Sequence, residues 1–471
     1  MRKLKAFCLG LSALFVLASC QQTGGGKDKY VISISARSSS TEQNMLKIWE
    51  AAYEKAHPEV DVQVDGWGTV QTSEAYVQRY ALNRSQLTNM IYTTDDSTAL
   101  LAIKNNFVDL RSYYEANTDT DYTNFYRSML DTTSYNGEFR PTTSYQGNLE
   151  GEKSDDPEYG IYFAPREYNM PGLLLNVDLF NEYGIAVPTK DDWDWDKFVA
   201  LLQQIDTMTQ QKRAEEGGVK YSQYRACELN QTWEPVYTTI LKALGGDGLF
   251  TFDSSNEASC NLGSTANVAA YRELVEDFAN GNYQYALDRD YGNDNFVSGT
   301  VFMTAISYPE VGNYHEKIPN IAFLPFPTEY VAAGCGGYGI LTDKKDEVQT
   351  LANGESKKTV DLCWDFLRFI ISEEGQNLAG KEGYIQPVRK SLATTGEWLQ
   401  SFDPSLDHTA FCTGKELALN TFTFATPSKR SLLRNDVSDF IRRLLDNTTK
   451  TTDVDSIVAN TEKSINNHLA S

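Results

Sequence analysis

The chain has 471 residues, of which 41% are hydrophobic and 23% charged, and its formal net charge is −22. This composition is typical of a folded globular protein and excludes an intrinsically disordered chain. The excess of acidic residues argues against binding to nucleic acid or to anionic lipid headgroups, and it is compatible with a neutral or cationic ligand. The length is sufficient for two domains of ordinary size.

The N-terminus has the pattern of an exported lipoprotein. A positively charged start over residues 2–5 precedes an apolar run over 6–18, which is too short to span a bilayer. The next residues, Leu17-Ala18-Ser19-Cys20, resemble the lipobox of bacterial lipoproteins, in which the cysteine receives a lipid and becomes the N-terminus. We therefore predict a signal peptide over 1–19, lipidation at Cys20, a flexible tether over 20–29 and an extracytoplasmic location, with the lipid as the only contact with the cell membrane.

Strands and helices alternate after the tether. The alternation from Tyr30 to Ala36 predicts a strand, and Ser39 with Glu42 has the spacing of a capping box, which predicts that a helix begins there and ends before Pro58. Further strands are predicted at 60–64 and 90–93, and further helices at 74–82 and 97–105. This order predicts βαβ units and a largely parallel sheet.

The rest of the chain continues the mixture of strands and helices with two interruptions. A strand is predicted around 172–177 and helices from 178 and at 189–209, 235–244, 265–280, 359–371, 373–378 and 431–445. Residues 131–160, rich in Gly, Thr, Tyr, Asp and Pro, are predicted to form an irregular insertion or a hairpin. Residues 205–230 form a charged region without a clear element.

No residue cluster predicts a metal or a cofactor. The acidic run from Asp288 to Asp294 resembles a calcium-binding loop, but Gly299 occupies the position at which an EF-hand needs a carboxylate. The four histidines do not have the spacing of metal ligands. Five cysteines remain in the body of the chain, without the close spacing of a zinc or redox site. We interpret most of them as small buried residues, and a disulfide between Cys227 and Cys260 stays open.

Four segments carry a shared pattern. They are Gly172-Leu-Leu-Leu-Asn176-Val-Asp178-Leu-Phe180 with Gly184 to Pro188 and Trp193 to Phe198; Trp233-Glu234-Pro235 running to Asp247; Phe296 to Gly299 with Phe302, Met303 and Ile306 to Tyr308; and Trp364 to Phe369 with Ser372 to Gln376 and Gly383 to Arg389. In this order they resemble the extracellular solute-binding proteins of ABC importers, family 1, the branch that includes maltose- and oligosaccharide-binding proteins. The segments at 131–160 and 205–230 depart from the pattern, which leaves the identity of the ligand open.

The resemblance implies an α/β fold of two lobes, each a mainly parallel sheet flanked by helices, with solute held between them. It implies two or three crossing segments, which we place at 167–174, 325–338 and 383–389. The first lobe would comprise 30–170 and 338–380, and the second 171–337 and 381–471. Ligand would close the lobes by a hinge motion, and the closed, monomeric protein would dock on ABC permease subunits.

In this architecture ligands meet strand ends and the N-termini of the helices that follow. On the first lobe, this points to Ser38, Ser39, Glu42, Trp67, Asp95 and Asp96. Helix capping is the alternative role for Ser39, Glu42, Asp95 and Asp96. We expect Trp67, which lies between two glycines, to be exposed and to stack on a sugar ring, with burial in the core as the alternative.

On the second lobe, Trp233 and Glu234 match family positions just before a helix, where the tryptophan would stack and the glutamate would accept hydroxyl protons. Tyr308 matches a position where the family often carries a cleft aromatic residue. The neighbours Gly336, Gly337 and Tyr338 suggest a close backbone approach to the ligand or to a crossing strand. Arg166 and Tyr168 are further candidates near the first crossing, and Arg389 is a candidate for a structural role.

Three functions are compatible with these features. The first is a binding protein for a sugar or oligosaccharide, in keeping with the resemblance and with an aromatic content of 12%. The second keeps the fold and changes the ligand to a polyamine or another cation, which would suit the acidic composition. The third is a surface glycosidase with paired carboxylates, but no motif fixes two of them at a working separation. We therefore expect a carbohydrate-binding protein that is not an enzyme and needs no cofactor.

Overall fold

The computed structural model describes residues 28–37, 39–68, 70, 72–117, 124–126, 134–135, 160–216, 224–230, 232–252, 258–278, 295–417, 430–446 and 448–470. Within these ranges the side chains of Asp95 and Asp96 are not described. The predicted signal peptide over 1–19, Cys20, Ser38 and residues 288–294 lie outside the described residues, as does most of the 131–160 segment.

The strands are Tyr30–Ala36 (β1), Val60–Gly66 (β2), Met90–Thr94 (β3), Ser134–Tyr135 (β4), Gly160–Ile161 (β5), Ala164–Asn169 (β6), Gly172–Asn176 (β7), Arg225–Glu228 (β8), Phe250–Phe252 (β9), Ala258–Cys260 (β10), Val301–Ile306 (β11), Ile321–Pro325 (β12), Tyr330–Ala332 (β13), Gly334–Ile340 (β14), Val348–Thr350 (β15), Ser356–Lys358 (β16) and Lys415–Leu417 (β17).

The α-helices are Ser40–Ala56 (α1), Ser73–Arg79 (α2), Asp95–Ile103 (α3), Arg111–Ala116 (α4), Val177–Tyr183 (α5), Trp195–Glu216 (α6), Glu234–Ala243 (α7), Thr265–Phe278 (α8), Val311–His315 (α9), Thr359–Ile370 (α10), Glu373–Lys381 (α11), Arg430–Leu444 (α12) and Val454–Ala470 (α13).

The first lobe is built on a sheet with the strand order β2-β1-β3-β14-β6. β1 pairs in parallel with β2 and β3, whereas β14 runs antiparallel to β3 and β6. The predicted alternation of β1 buries Tyr30, Ile32 and Ile34 completely. Helix α1 packs against β2, α10 packs against β1 and β14, and the ring of Tyr53 in α1 contacts that of Phe366 in α10, so these two helices lie side by side on the sheet.

The second lobe is built on a sheet with the order β12-β7-β11-β8. Only β8 and β11 pair in parallel, because β7 runs antiparallel to both of its neighbours. β7 is buried along its whole length, which explains its continuous run of leucines, Leu173 to Leu175. The predicted two-lobed α/β class is confirmed, with the difference that each sheet contains one reversed strand, β14 or β7.

The chain crosses between the sheets at two of the three predicted segments. β6 continues into β7 through Met170 and Pro171, and residues 326–333 lead from β12 back to β14. In the third predicted segment, 383–389, the backbone oxygen of Gln386 accepts a hydrogen bond from the amide of Tyr168 in β6 at 3.2 Å. The lobe boundary that we predicted at residue 338 falls inside β14, which belongs to the first sheet from Gly334 onward.

The glycines of β14 explain how the reversed strand fits between its neighbours. A Cβ atom on Gly337 would overlap the carbonyl oxygen of Ala164, and one on Gly336 would overlap the hydroxyl of Tyr92. Only glycine therefore permits this distance between strands. The predicted close approach is thus made to the crossing strand β6 and to β3, which flank β14.

The structure extends or adds to the predicted elements in several places, and strand β8 lies in the 205–230 stretch that was predicted to have no clear element. Helix α6 continues to Glu216, beyond the predicted end at 209. Helix α13 was not predicted, although it buries Val454, Val458 and Ile465 on one face. Ser134–Tyr135 pairs antiparallel with Gly160–Ile161, as expected at the base of a hairpin. Among the described residues, no helix has both the length and the apolar character needed to cross a membrane.

Candidate ligand-binding site

A cavity of about 710 Å³ lies between the lobes, a size within the range of ligand pockets, about 300–1,000 Å³. Its first-lobe wall includes Arg37, Ser39, Glu42, Trp67, Tyr92, Ser97, Arg166, Glu167 and Asn169. Its second-lobe wall includes Asn230, Thr232, Trp233, Ser307, Pro309, Glu310, Asn313, Ser431 and Arg434, and Gly334, Cys335 and Tyr384 lie near the crossings. Residues from both lobes therefore line one cavity.

The wall forms where strands end. Arg37 and Ser39 follow β1, and Thr94 ends β3 beside it in the sheet. Because the carboxyl ends of parallel strands meet at one edge of a sheet, these residues lie together at the cavity. In the second lobe Asn230 follows β8 and Ser307 follows β11, the one parallel pair of that sheet. The general location of the site follows from this topology.

Four charged residues, three of them buried, form a network on the first-lobe wall. Arg166 donates from one terminal nitrogen to Oε1 of Glu42 at 2.9 Å and to Oε1 of Glu167 at 3.0 Å. Its other terminal nitrogen donates to the hydroxyl of Tyr338 at 3.3 Å. The three charged side chains are only 3–6% exposed. Arg37, which is half exposed, donates to the same oxygen of Glu42 at 3.0 and 3.2 Å.

Both members of the central pair are held in the ionised form. Burial alone would raise the pKa of Glu42, but the positive charges and hydrogen bonds of Arg166 and Arg37 lower it below its ordinary value. Burial would likewise lower the pKa of Arg166, but Glu167 and Glu42 raise it well above its ordinary value. The network therefore places compensated charges at the cavity rather than a single free one.

Hydrogen bonding in this network is uneven. Oε1 of Glu42 accepts from Arg166 and twice from Arg37, whereas Oε2 is buried and accepts from no described residue. Oδ1 of Asn169 and Nε of Arg166 are also buried, and within the described chain neither has a partner. A buried polar atom without a partner costs about 1–3 kcal/mol. The wall therefore carries open hydrogen-bonding positions.

The residues after β1 lie at the cavity as placed from the sequence. Ser39 is the N-cap of α1, and its Oγ accepts from the amide of Glu42 at 3.3 Å. The carboxylate of Glu42 instead bonds the two arginines, so only the serine half of the predicted capping box forms. Asp95 and Asp96 open α3, and Ser38 lies outside the described residues.

Trp67 lies at the cavity, but the expectation that it is exposed is wrong. It is only 2% exposed, its ring stacks on Tyr76 with centroids 5.4 Å apart, and its Nε1 donates to Oγ of Ser35 at 3.0 Å. The glycine that follows, Gly68, has a φ of +66°, which turns the chain at this point. The ring therefore finds an aromatic face and a hydrogen-bond acceptor inside the first lobe.

Of the two second-lobe residues Trp233 and Glu234 that were predicted to bind ligand, only the tryptophan lines the cavity. Trp233 is the N-cap residue of α7, is half-buried and lines the cavity. Glu234 opens the helix but is not among the described residues that line the cavity. Of the predicted pair, the tryptophan is therefore the residue placed to contact a ligand.

Tyr308 lies in the core of the second lobe, not at the cavity. It is completely buried, and its hydroxyl donates to the carbonyl of Trp398 at 3.1 Å, lies 2.8 Å from Nδ1 of His408 and contacts Ser401. Ser307 and Glu310 line the cavity instead, joined by a capping box in which Glu310 accepts from the amide of Ser307 at 3.1 Å. The Ser-x-x-Glu spacing after a strand was the signal for these two residues.

Gly336, Gly337 and Tyr338 do not line the cavity. They are buried within β14, and Tyr338 contacts the wall through its bond with Arg166 and through its edge-to-face contact with the ring of Tyr92. Of this strand, Gly334 and Cys335 line the cavity. Cys227 and Cys260 are both free, so the disulfide that the sequence left open does not form in this structure. The described part of the chain contains no group of three His, Cys, Asp or Glu side chains arranged for a metal ion.

Comparison with known proteins gives a family match. Residues 49–402 match the family model of bacterial extracellular solute-binding proteins. A search of curated protein sequences found no significant match.

Several solved structures share the fold. They include the ABC substrate-binding protein Lmo0181 from Listeria monocytogenes in complex with cycloalternan (TM-score 0.65, 15% identity, 94% of this chain and 100% of that chain). The sugar-binding protein MalE from Xanthomonas citri has a TM-score of 0.65 at 13% identity, covering 93% and 97%. A cyclic α-maltosyl-1,6-maltose binding protein from Arthrobacter globiformis has a TM-score of 0.64 at 15% identity, covering 94% and 99%.

Proposed function

This chain belongs to the family of bacterial extracellular solute-binding proteins, and we propose that it captures a sugar or oligosaccharide in the cavity between its lobes and delivers it to an ABC permease. The structures named above belong to proteins described as binding cycloalternan, sugar and cyclic α-maltosyl-1,6-maltose. At 13–15% identity they share the fold, and the choice of ligand depends on the residues of this cavity.

The observation that carries the proposal is the charge balance of the cavity. The chain as a whole has a formal net charge of −22, yet its cavity is lined by three arginines (Arg37, Arg166, Arg434) and three glutamates (Glu42, Glu167, Glu310). A site for a polyamine would need uncompensated acidic side chains, because each ammonium group must exchange water for a carboxylate. The balanced lining instead favours a neutral, polar solute.

The aromatic and polar residues of the second-lobe wall suit a sugar ring. Trp233 offers a partly exposed indole on which the apolar face of a sugar can stack. Asn230, Thr232 and Asn313 line the same cavity and are neutral groups that can donate and accept hydrogen bonds. Capture by closure of the two lobes would bring this wall against the charged network of the first lobe.

The predicted lipid on Cys20 fits delivery to a permease. An anchor and a tether over 20–29 would keep the binding protein near the transporter and raise its effective concentration there. We expect the Cys20→Ser variant to be released from the membrane fraction of the producing cell. Retention of that variant in membranes would contradict the anchor and leave the ligand-binding proposal intact.

Calorimetric titration with maltose, maltotetraose and ribitol tests the proposed function. At least one of these saccharides or polyols should bind with a Kd of about 1 μM or below. The bound compound should be recovered chemically unchanged, and its Kd should depend little on salt concentration. Trp233→Ala should weaken binding at least about tenfold, since it removes the stacking surface. Trp195→Ala, which removes a half-buried tryptophan bonded to Asp277 away from the cavity, is the matched control.

Two outcomes would contradict the proposal. Binding of spermidine that is tighter than that of every saccharide and weakens steeply with salt would favour a cationic solute. Hydrolysis of a bound oligosaccharide, with an activity that stays with the protein through further purification, would favour the glycosidase. Equal loss of affinity in Trp233→Ala and Trp195→Ala would remove Trp233 from the site.

A further inference from the structure

We infer that the first-lobe wall recognises hydroxyl groups through three open atoms, Oε2 of Glu42, Oδ1 of Asn169 and Nε of Arg166, and that it discriminates against solutes that present a carboxylate or an ammonium there. The inference rests on the proposed function, because it concerns the same cavity. It adds the chemical class that the wall selects and the residues that make the selection.

The selection follows from the polarity of the three atoms. Two are acceptors and one is a donor, and all three are buried on residues that line the cavity. A carboxylate has only acceptors, so it can satisfy Arg166 but leaves Glu42 and Asn169 without donors. An ammonium has only donors and leaves Arg166 without an acceptor. A hydroxyl both donates and accepts, so a pair of neighbouring hydroxyls can satisfy the whole set.

The charges of the network act in the same direction. Arg37 donates twice to Glu42, and Arg166 contacts both Glu42 and Glu167, so each of these guanidinium groups already faces a carboxylate. An anionic ligand would gain no free cation from this pair and would lie beside two acceptor oxygens. A hydroxyl donor, in contrast, forms a charge-assisted bond with Oε2 of Glu42, which is stronger than a bond between neutral groups.

Arg166 also has a positioning role. By binding Oε1 of Glu42, together with Arg37, it fixes which of the two carboxylate oxygens stays open. Burial at 3% exposure and the bond to Tyr338 keep the guanidinium itself in place. Because the open oxygen is held before ligand arrives, little side-chain freedom is lost on binding.

Calorimetry on the chain after the predicted signal peptide tests the inference. The neutral probes are maltose, maltotetraose and ribitol, the anionic probe is glucuronic acid, and the cationic probe is glucosamine. We expect the best neutral probe to bind at least about tenfold more tightly than either charged one. Glu42→Gln and Asn169→Leu should each weaken that probe about tenfold or more, since each removes an acceptor. Asp455→Asn, at an exposed pair with Arg272, is the control.

The outcomes separate this inference from the proposed function. A neutral probe that binds the wild type, Glu42→Gln and Asn169→Leu equally would overturn the inference and leave the proposed function standing. Tighter binding of glucuronic acid or glucosamine would also overturn it. Wild-type protein that binds none of the neutral probes would contradict both. Thermal denaturation checks that each variant folds. If Glu42→Gln does not fold, the affinity of Asn169→Leu alone tests the inference.

Discussion

Arg166 donates a 2.9 Å hydrogen bond to Glu42, a residue 124 positions away in the sequence, and both side chains are almost completely buried. The bond joins β6, at the edge of the first sheet, to the first turn of α1. Burying two charges has a desolvation cost that approximately offsets their attraction, so the pair as a whole adds little stability. Removing one partner is different, because it leaves the other charge buried and uncompensated.

The first prediction follows from that asymmetry. Arg166→Gln should lower the free energy of unfolding by about 3–5 kcal/mol, because Glu42 and Glu167 lose their buried counter-ion. Arg272→Gln removes an arginine from an exposed pair with Asp455 and should cost no more than about 1 kcal/mol. Urea denaturation of both variants measures the difference. Equal losses would mean that the buried network behaves as a surface ion pair.

The second prediction concerns stability in mild acid. Burial lowers the pKa of His408 below its ordinary value, despite the opposing effects of its bond to the Asp403 carbonyl and of the Asp407 and Asp403 charges. The unfolded chain therefore takes up this proton first as the pH falls, at about 6.5. The contribution of neutral His408 is fully present above that pH and is lost as the pH falls toward the folded pKa.

Denaturation at pH 7.5 and pH 5.5 measures this loss. In the wild type, Asp277 acts in the opposite direction, because its pKa is raised to about 6 by burial, with the nearby Glu273 and Glu276 adding to the rise. The comparison is therefore made with His408→Gln, in which the fall in stability between the two pH values should be smaller. An identical fall in the variant would exclude His408 as its source.

The third prediction concerns the glycines of the reversed strand. Gly337→Ala should destabilise the first lobe by about 1–3 kcal/mol or more, because the added Cβ would overlap the Ala164 carbonyl and lie 2.6 Å from the Phe163 ring. Gly312→Ala is the matched control, since its Cβ would lie 3.3 Å from Phe402 and Gly312 is in the helix α9. Thermal denaturation should show a large drop for the first variant only.

Patterns with a local physical cause were predictable from the sequence. Alternation of apolar residues located β1, and the Ser39 cap located the start of α1. The order of strands and helices then placed the first-lobe wall of the cavity at the strand ends that follow β1 and β3, whereas β8 was not predicted. The reversal of β7 and β14 was not predictable in this way, because a buried strand has the same apolar pattern in either direction.

The environment of individual side chains depended on contacts that no spacing encodes. Trp67 is buried because Tyr76 and Ser35 accept its ring and its N–H, and Tyr308 is buried because Trp398 and His408 surround its hydroxyl. Both residues follow strands, as cavity residues do, so position alone could not separate core from cleft. The partner of Glu42 was equally hidden, since Arg166 lies on a distant strand and meets it only in the folded lobe.

The last prediction is that binding of the best neutral saccharide is insensitive to mild acid. If Oε2 of Glu42 accepts a ligand hydroxyl, affinity depends on the ionised carboxylate. Arg166 and Arg37 lower the pKa of Glu42 below its ordinary value despite its burial, so the carboxylate is mainly ionised throughout the range from pH 5 to pH 8. Calorimetry at pH 8, 6.5 and 5 should therefore give one Kd within about a factor of two. A decline in affinity centred between pH 5 and pH 7 would mean that a group other than Glu42 controls binding, whereas Glu42→Gln should show the same flat profile at a weaker Kd.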